Sequence, residues 1–100
     1  MNKEYYVSNI LDLPIKSKWY EMIENGIKKE EYREIKEYWE KRLQYGTLFF
    51  RPYDYVRIRY GYTKRSMMFK LVSIRKGMGK TEWGAPKNKE VYILSLGDRV

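Results

Sequence analysis

Two segments with the pattern of a helix are joined by the stretch Gly26-Ile27-Lys28-Lys29-Glu30-Glu31-Tyr32-Arg33. Glycine readily takes the left-handed conformation that closes a helix, so Gly26 predicts a helix end. If the following chain is extended, Lys29, Glu31 and Arg33 share one side, because side chains alternate along a strand. If it is helical, Lys29 and Arg33 align one turn apart instead. The conformation of this stretch therefore decides which charged side chains can converge on a ligand.

The segments on either side of this stretch predict two helices and a short first strand. Ser17–Asn25 has apolar residues at helical spacing, with Ser17 as the N-cap. Ile35–Tyr45 has a second apolar face and ends at Gly46. Before them, Leu11–Ile15 alternates like a strand, and its proline limits it to an edge or a strand end. We interpret the apolar stripe of the first helix as core and the charges of the second as a solvated face.

The second half of the chain predicts strands. They are expected over Tyr53–Tyr62, Met67–Ile74 and Glu90–Leu96, and the last is apolar on both faces, as in a central or barrel strand. A turn at Gly61–Arg65 and a loop at Gly77–Lys89 separate them. Two helices followed by a meander of strands favour the α+β class, with a strongly bent sheet or a small β-barrel.

Composition limits both the architecture and the chemistry. One hundred residues predict one domain, residues 1–100, with residues 1–10 as a lead-in. The chain has no cysteine and no histidine, which excludes disulfides, thiol nucleophiles, cysteine-ligated zinc and a Ser-His-Asp triad. Met1–Ile15 lacks a long apolar region, and no apolar run approaches a membrane span. We expect a soluble cytoplasmic protein with no signal peptide, no membrane partner, no cofactor and no bound metal.

Charge is distributed unevenly along the chain. Residues 1–50 carry nine basic and nine acidic residues, whereas residues 51–100 carry twelve and four, so the whole net charge of +8 lies in the second half. Such a basic excess favours a polyanionic partner, namely RNA, single-stranded nucleic acid or a nucleotide. The eleven tyrosines and three tryptophans can stack on bases or fill a sheet core. The alternatives are a basic surface that serves only solubility, or a surface that binds an acidic protein.

The opening stretch also matches a family signature, Gly-x-Lys-x-x-Glu-x-Arg, at Gly26, Lys28, Glu31 and Arg33. On this basis the chain resembles the ASCH domain family. The resemblance extends over residues 11–100. Its further matches are Leu13-Pro14-Ile15-Lys16, Tyr38-Trp39 with Arg42-Leu43, Gly61-Tyr62, Glu82-Trp83-Gly84-Ala85 and Tyr92-Ile93-Leu94-Ser95-Leu96-Gly97.

The resemblance implies a PUA-like fold, in which a small β-barrel is flanked by helices and a cleft forms where the signature meets the barrel. It also implies RNA or nucleotide recognition. Some relatives are ribonucleases or amidohydrolases that act on an acylated cytidine nucleoside. In the amidohydrolase subgroup a threonine nucleophile occupies the position of Glu31. Glutamate cannot take that role, although it could act as a general base.

The binding hypothesis is that basic residues contact phosphates while the cleft accepts a base. The candidate nucleic-acid-binding residues are Lys28, Lys29, Glu31, Arg33, Arg57, Arg59, Tyr62 and Trp83. Glu31 could instead be held by Arg33 or by Lys28 in a purely structural ion pair. Arg57 and Arg59 could belong to a solvated sheet face. For Trp83, packing in the core competes with stacking on a base, and the same alternatives stand for Tyr62.

The enzyme hypothesis makes Lys28 and Glu31 an acid/base pair that acts on a nucleotide or an RNA phosphodiester. Lysine serves as a base only where burial or a neighbouring cation lowers its pKa. Arg33 could stabilise a developing negative charge. We expect the relative placement of Lys28, Glu31 and Arg33 to distinguish these hypotheses.

Overall fold

The structure is a computed structural model that describes residues 9–100. It confirms the α+β class: two helices accompany a strongly curled, mixed five-stranded sheet that forms a half-barrel. Most of the predicted lead-in, residues 1–10, lies outside the described residues. So does the first half of Met1–Ile15, where no signal peptide is expected. The elements are β1 (Ile10–Ile15), α1 (Ser17–Glu24), β2 (Glu30–Arg33), α2 (Glu37–Leu43), β3 (Gln44–Tyr45), β4 (Phe49–Phe50), β5 (Tyr55–Tyr60), β6 (Ser66–Met78) and β7 (Glu90–Arg99), with a 3-10 turn at Thr81–Trp83.

The sheet has the strand order β1-β5-β6-β7-β2. β1 and β5 are parallel, and the other neighbours are antiparallel. β1 and β2 are therefore the two edges. The curl of the sheet brings these edges together. They are joined by a hydrogen bond of 3.1 Å, which Arg33 Nη2 on β2 donates to the carbonyl of Pro14 on β1. We call the gap between β1 and β2 the seam.

β7 is a central strand, as its two apolar faces predict. Tyr92 and Leu94 on one face belong to the main core, which β1, α1, β5 and β6 also build. Val91 and Ile93 on the other face belong to a smaller cluster with Tyr32. Burial of both faces explains why the strand lacks the polar alternation of a solvent-facing strand.

The opening stretch turns the chain from α1 into β2. The N–H of Gly26 donates to the carbonyl of Ile23, and the N–H of Ile27 donates to the carbonyl of Met22, at 3.1 and 2.9 Å. This pair of bonds closes a helix in the Schellman manner, which requires a left-handed residue after the C-cap. Gly26 supplies it with φ +77°. The predicted helix end is confirmed, and Glu30–Arg33 is extended rather than helical.

Three local predictions are wrong. Ser17 is the first helical residue of α1, and extended Lys16 occupies the N-cap position without a side-chain hydrogen bond. The second helix covers Glu37–Leu43 rather than Ile35–Tyr45, because its predicted end pairs with β4 in a short hairpin. Gly46, with φ +60°, lies in the turn of that hairpin. β6 and β7 also run several residues beyond the predicted strand ends.

Neither α1 nor α2 has the length or the apolar character that a membrane-crossing helix needs, and residues 9–100 contain no other candidate.

Candidate functional site

A cleft of about 980 Å³ lies along the seam. Its walls come from both sheet edges, from the faces of α1 and α2 and from the 3-10 turn. The volume is at the upper end of the roughly 300–1,000 Å³ that small-molecule sites occupy. The curl of the sheet thus positions a ligand-sized cavity beside the signature stretch.

All three tryptophans of the chain line this cleft. Trp19 comes from α1, Trp39 from α2 and Trp83 from the 3-10 turn, and each ring is half-buried. A cation lies near each ring: Lys18 at 4.7 Å from Trp19, Arg33 at 5.1 Å from Trp39 and Lys80 at 4.2 Å from Trp83. The interpretation of the α1 stripe as core is incomplete, because Trp19 packs against the core and also lines the cleft.

Three charged side chains form a cluster at the floor of the cleft and directly beneath it; Lys28 and Glu31 are buried, and Arg33 is half-buried. Glu31 Oε1 is 3.2 Å from Lys28 Nζ, and Glu31 Oε2 is 3.3 Å from Arg33 Nη1. The backbone N–H of Tyr32 also donates to Glu31 Oε1. Strand alternation alone would separate Lys28 from Glu31, but Lys28 precedes β2 and the turn after α1 directs its side chain inward. The structure therefore brings the three signature side chains together.

Lys28 lies behind Glu31 rather than in the cleft. Its side chain has no exposed surface, and Nζ donates a hydrogen bond to the carbonyl of Trp83. Burial lowers the pKa of the Lys28 ammonium, and the neighbouring Glu31 carboxylate offsets this effect only in part. Lys28 thus joins the start of β2 to the 3-10 turn and contacts Glu31 from behind, outside the cleft.

Arg33 and Arg59 line the cleft. Arg33 is fixed by hydrogen bonds to the carbonyls of Tyr32 and Pro14. Arg59 Nε lies 3.1 Å from Asp12 Oδ1, which is ion-pair distance, but the angle does not fit a hydrogen bond. Among residues 9–100, this nitrogen is the buried side-chain polar atom without a hydrogen-bond partner.

The predicted binding residues are divided by their position. Of the eight, Lys28 lies beneath the cleft, while Lys29 and Arg57 do not line it. Tyr62 is 88% exposed, so it lies at the rim and is no part of the core. Trp83 packs on the smaller core cluster, as one interpretation of it predicted, and it also lines the cleft, where stacking on a base stays a prediction. The five that line the cleft are Glu31, Arg33, Arg59, Tyr62 and Trp83.

Several lining residues were not predicted as site residues. Tyr38, Trp39 and the stem of Arg42 had been predicted on the apolar face of the second helix. Lys36 had been assigned to its solvated face, and Tyr53 to the start of a strand. Asp12 on β1 had a usable signal, because it alternates with the buried Leu11 and Leu13.

With these residues the cleft has five basic side chains against three carboxylates. The basic members are Lys16, Arg33, Lys36, Arg42 and Arg59, and the acidic members are Asp12, Glu31 and Glu34.

A second polar network supports β2. The hydroxyl of Tyr32 donates to Glu30 Oε1 at 2.8 Å and accepts the backbone N–H of Lys80 at 3.0 Å. Arg75 Nη2 contacts Glu30 Oε2 at 2.9 Å and fixes that carboxylate. Burial, together with the hydrogen bond to Glu30, raises the pKa of Tyr32 to about 12. The network holds the loop before the 3-10 turn against β2.

The chain matches no known family model and no curated protein. Within residues 9–100, no three acidic side chains lie close enough together to hold a metal ion.

Proposed function

We propose that the protein binds a nucleotide or single-stranded RNA in the cleft at the seam. The observation that carries this proposal is the convergence of all three tryptophans on one cleft with a basic surplus. Aromatic rings stack on any base, and arginine and lysine side chains contact phosphates. A purely apolar small molecule would leave the five basic groups unpaired, whereas a nucleotide can contact both the rings and the charges.

The arrangement of polar groups gives each a role with such a ligand. Tyr62 at the rim offers an exposed ring for a base that enters the cleft. Glu31, held by Lys28 and Arg33, can accept a hydrogen bond from an exocyclic amine of the base. The Arg59 side chain is 30% exposed beside Asp12 where it lines the cleft, so its guanidinium can also contact a ligand phosphate.

We also propose that the chain is an ASCH domain with a PUA-like fold. The curled mixed sheet with two helices is compatible with this assignment. Each signature residue has a structural role. Gly26 ends α1, and the side chains of Lys28, Glu31 and Arg33 form one cluster at the cleft. A determined structure of an established family member, superposed on this one, tests the assignment by whether those four positions coincide.

The binding proposal is tested with a fluorescently labelled, mixed-sequence single-stranded RNA and anisotropy at low salt. Tyr62→Ala removes an exposed ring in the cleft, and Tyr45→Ala removes an exposed ring outside it. We expect Tyr62→Ala to weaken binding by about fivefold or more, since stacking on a base contributes about 1–3 kcal/mol. Tyr45→Ala should bind as the unmodified protein does. Equal effects of the two substitutions would place the ligand elsewhere.

Charge is tested in the same way on α2. Arg42 lines the cleft, whereas its neighbour Lys41 does not. Arg42→Gln should weaken binding and reduce the dependence of affinity on salt, because fewer counterions are released. Lys41→Gln should change both less. Absence of any RNA or nucleotide binding by the folded protein at low salt would reject the proposal.

Hydrolysis of RNA or of an acylated nucleoside is a second candidate function, which one observation favours. Burial lowers the pKa of Lys28, which is a condition for a lysine base. Since Lys28 has no exposed surface, it would act on a substrate through Glu31, which lines the cleft. Incubation with RNA and with acylated nucleosides, with and without a divalent metal, tests this function. Activity that survives Glu31→Gln would remove the pair from the chemistry.

A further inference from the structure

A smaller pocket of about 270 Å³ adjoins the cleft. The two cavities share a wall, and the small one extends beyond it into the loop before β7. The shared residues are Tyr32, Arg33, Glu34 and Gly84, and the added ones are Pro86, Lys89 and Val91. The small pocket falls below the roughly 300–1,000 Å³ of small-molecule sites, so it is better suited to one group of a larger ligand.

Glu34 lies between the two cavities and joins two lysines. Its Oε1 is 3.4 Å from Lys89 Nζ in the small pocket, and its Oε2 is 3.5 Å from Lys36 Nζ in the cleft. Hydrogen bonding to Lys89, together with the charge of Lys36, lowers the pKa of Glu34, so the group is an anion at neutral pH. About half of each of these side chains is exposed. Ion pairs this exposed contribute little to stability and are readily exchanged.

We propose that the small pocket is a phosphate subsite, where the phosphate of a bound nucleotide displaces the Glu34 carboxylate from Lys36 and Lys89. The subsite depends on the function proposed above, since the base of the same ligand lies in the main cleft. A phosphate monoester carries a charge of about −1.5 to −2 and three acceptor oxygens, against one charge on the carboxylate. It therefore competes effectively for the two lysines.

Arg33 strengthens this assignment because it lines both cavities. Its guanidinium is near the ring of Trp39 on the cleft side. A nucleotide with its base near the tryptophans can thus reach the small pocket with its phosphate across Arg33. Glu34 then sets selectivity: it occupies the lysines in the free protein and repels any anion that does not displace it.

The test compares four nucleosides with their 5′-monophosphates and with inorganic phosphate, by quenching of tryptophan fluorescence. We expect the monophosphates to bind about tenfold more tightly than the nucleosides, because charge-assisted hydrogen bonds are gained. Glu34→Gln removes the competing anion and should tighten monophosphate binding by about threefold to tenfold more than it changes nucleoside binding. Lys89→Gln should weaken monophosphate binding alone.

Two controls match these substitutions. Glu37→Gln removes a carboxylate paired with Lys41, and Lys87→Gln removes a lysine in the same loop as Lys89; neither residue lines either cavity. Both should leave the difference between nucleosides and monophosphates unchanged.

The outcomes separate this subsite from the proposed function. Equal binding of nucleosides and monophosphates, unaltered by Glu34→Gln and Lys89→Gln, would overturn the subsite and leave base binding in the cleft intact. Inorganic phosphate that binds as tightly as the monophosphates would show that the cleft contributes nothing to nucleotide binding, and would reject base binding there and with it the proposed function. No binding of nucleoside, nucleotide or single-stranded RNA would reject the proposed function itself.

Discussion

At the residue scale, the buried contact between Lys28 and Glu31 distinguishes this site from an ordinary charged surface. Most ion pairs among residues 9–100 are at least partly exposed, such as that between Lys41 and Glu37. Lys28 and Glu31 are instead almost fully excluded from water, and Lys28 also satisfies the carbonyl of Trp83. Loss of one partner leaves a buried charge and an unpaired carbonyl, which is much more costly than loss of a surface pair.

The first prediction concerns this contact. Lys28→Met retains the length of the side chain but removes its charge, and we expect a loss of about 3 kcal/mol in the free energy of unfolding in urea. Lys29→Met, at an exposed position, is the control and should lose under about 0.5 kcal/mol. Adding Glu31→Gln to Lys28→Met should cost less than the sum of the two single changes. Similar losses for Lys28→Met and Lys29→Met would contradict the buried contact.

The second prediction concerns pH and Tyr32. Its pKa is raised from 10.0 to about 12 in the folded protein, so the unfolded chain ionises this residue first. The stability that Tyr32 contributes is fully present below about pH 10 and is lost as the pH rises through about 12. Tyr32→Phe cannot ionise, and its free energy of unfolding should fall less steeply, by up to about 1.4 kcal/mol per pH unit in that range. Parallel pH curves for the two proteins would show that Tyr32 is not buried as described.

At the residue scale, the sequence supported the identities of the charged cluster but not its geometry. Alternation along an extended chain put Glu31 and Arg33 on one side correctly. It wrongly put Lys28 on the opposite side. The prediction failed there because the alternation of a strand does not extend into the turn after α1. The partner of Lys28, a backbone carbonyl of Trp83, is 55 residues away and leaves no trace in local sequence pattern.

At the scale of elements, the 3-10 turn after β6 depends on a close approach to α1. Gly84 follows the turn with φ +101°, and a Cβ there would lie 3.0 Å from two atoms of the Trp19 ring. Glycine therefore serves both the backbone conformation and the packing of one cleft wall against the other.

The third prediction follows from this approach. Gly84→Ala should lower the free energy of unfolding by about 2–4 kcal/mol, which combines about 1–2 kcal/mol of backbone strain with about 1–2 kcal/mol of overpacking. Gly61→Ala is the matched control, since Gly61 has φ +58° but open space at its Cβ. It should show the strain alone. Equal losses at the two positions would mean that the turn does not pack on Trp19.

Element types were predictable where patterns were long, and element ends were not. The apolar faces of β7 and the glycine after α1 were sufficient for a central strand and a helix end. The predicted end of the second helix was wrong because Gln44 and Tyr45 pair with β4 across a hairpin. This strand pairing overrides the helical pattern of the sequence. Trp19 was interpreted as core because a half-buried cleft residue and a core residue give the same helical periodicity.

At the scale of the whole molecule, the cleft depends on how the sheet curls. Its edge strands β1 and β2 come from the first third of the chain, yet three other strands separate them in the sheet. Only their approach across the seam, bridged by Arg33 and Pro14, gathers tryptophans from α1, α2 and the 3-10 turn around one cavity. Composition indicated a basic, aromatic protein, but strand order and curl decide which of those residues meet.

The most direct test is the ¹⁵N–¹H spectrum of the tryptophan indoles during titration with single-stranded RNA at low salt. The chain has three tryptophans and all three line the cleft, so their three indole N–H signals report on it directly. The proposed function predicts that all three signals shift and saturate together at the concentration where anisotropy shows binding. RNA that binds without moving these signals, or a folded protein that binds no RNA or nucleotide, would contradict it.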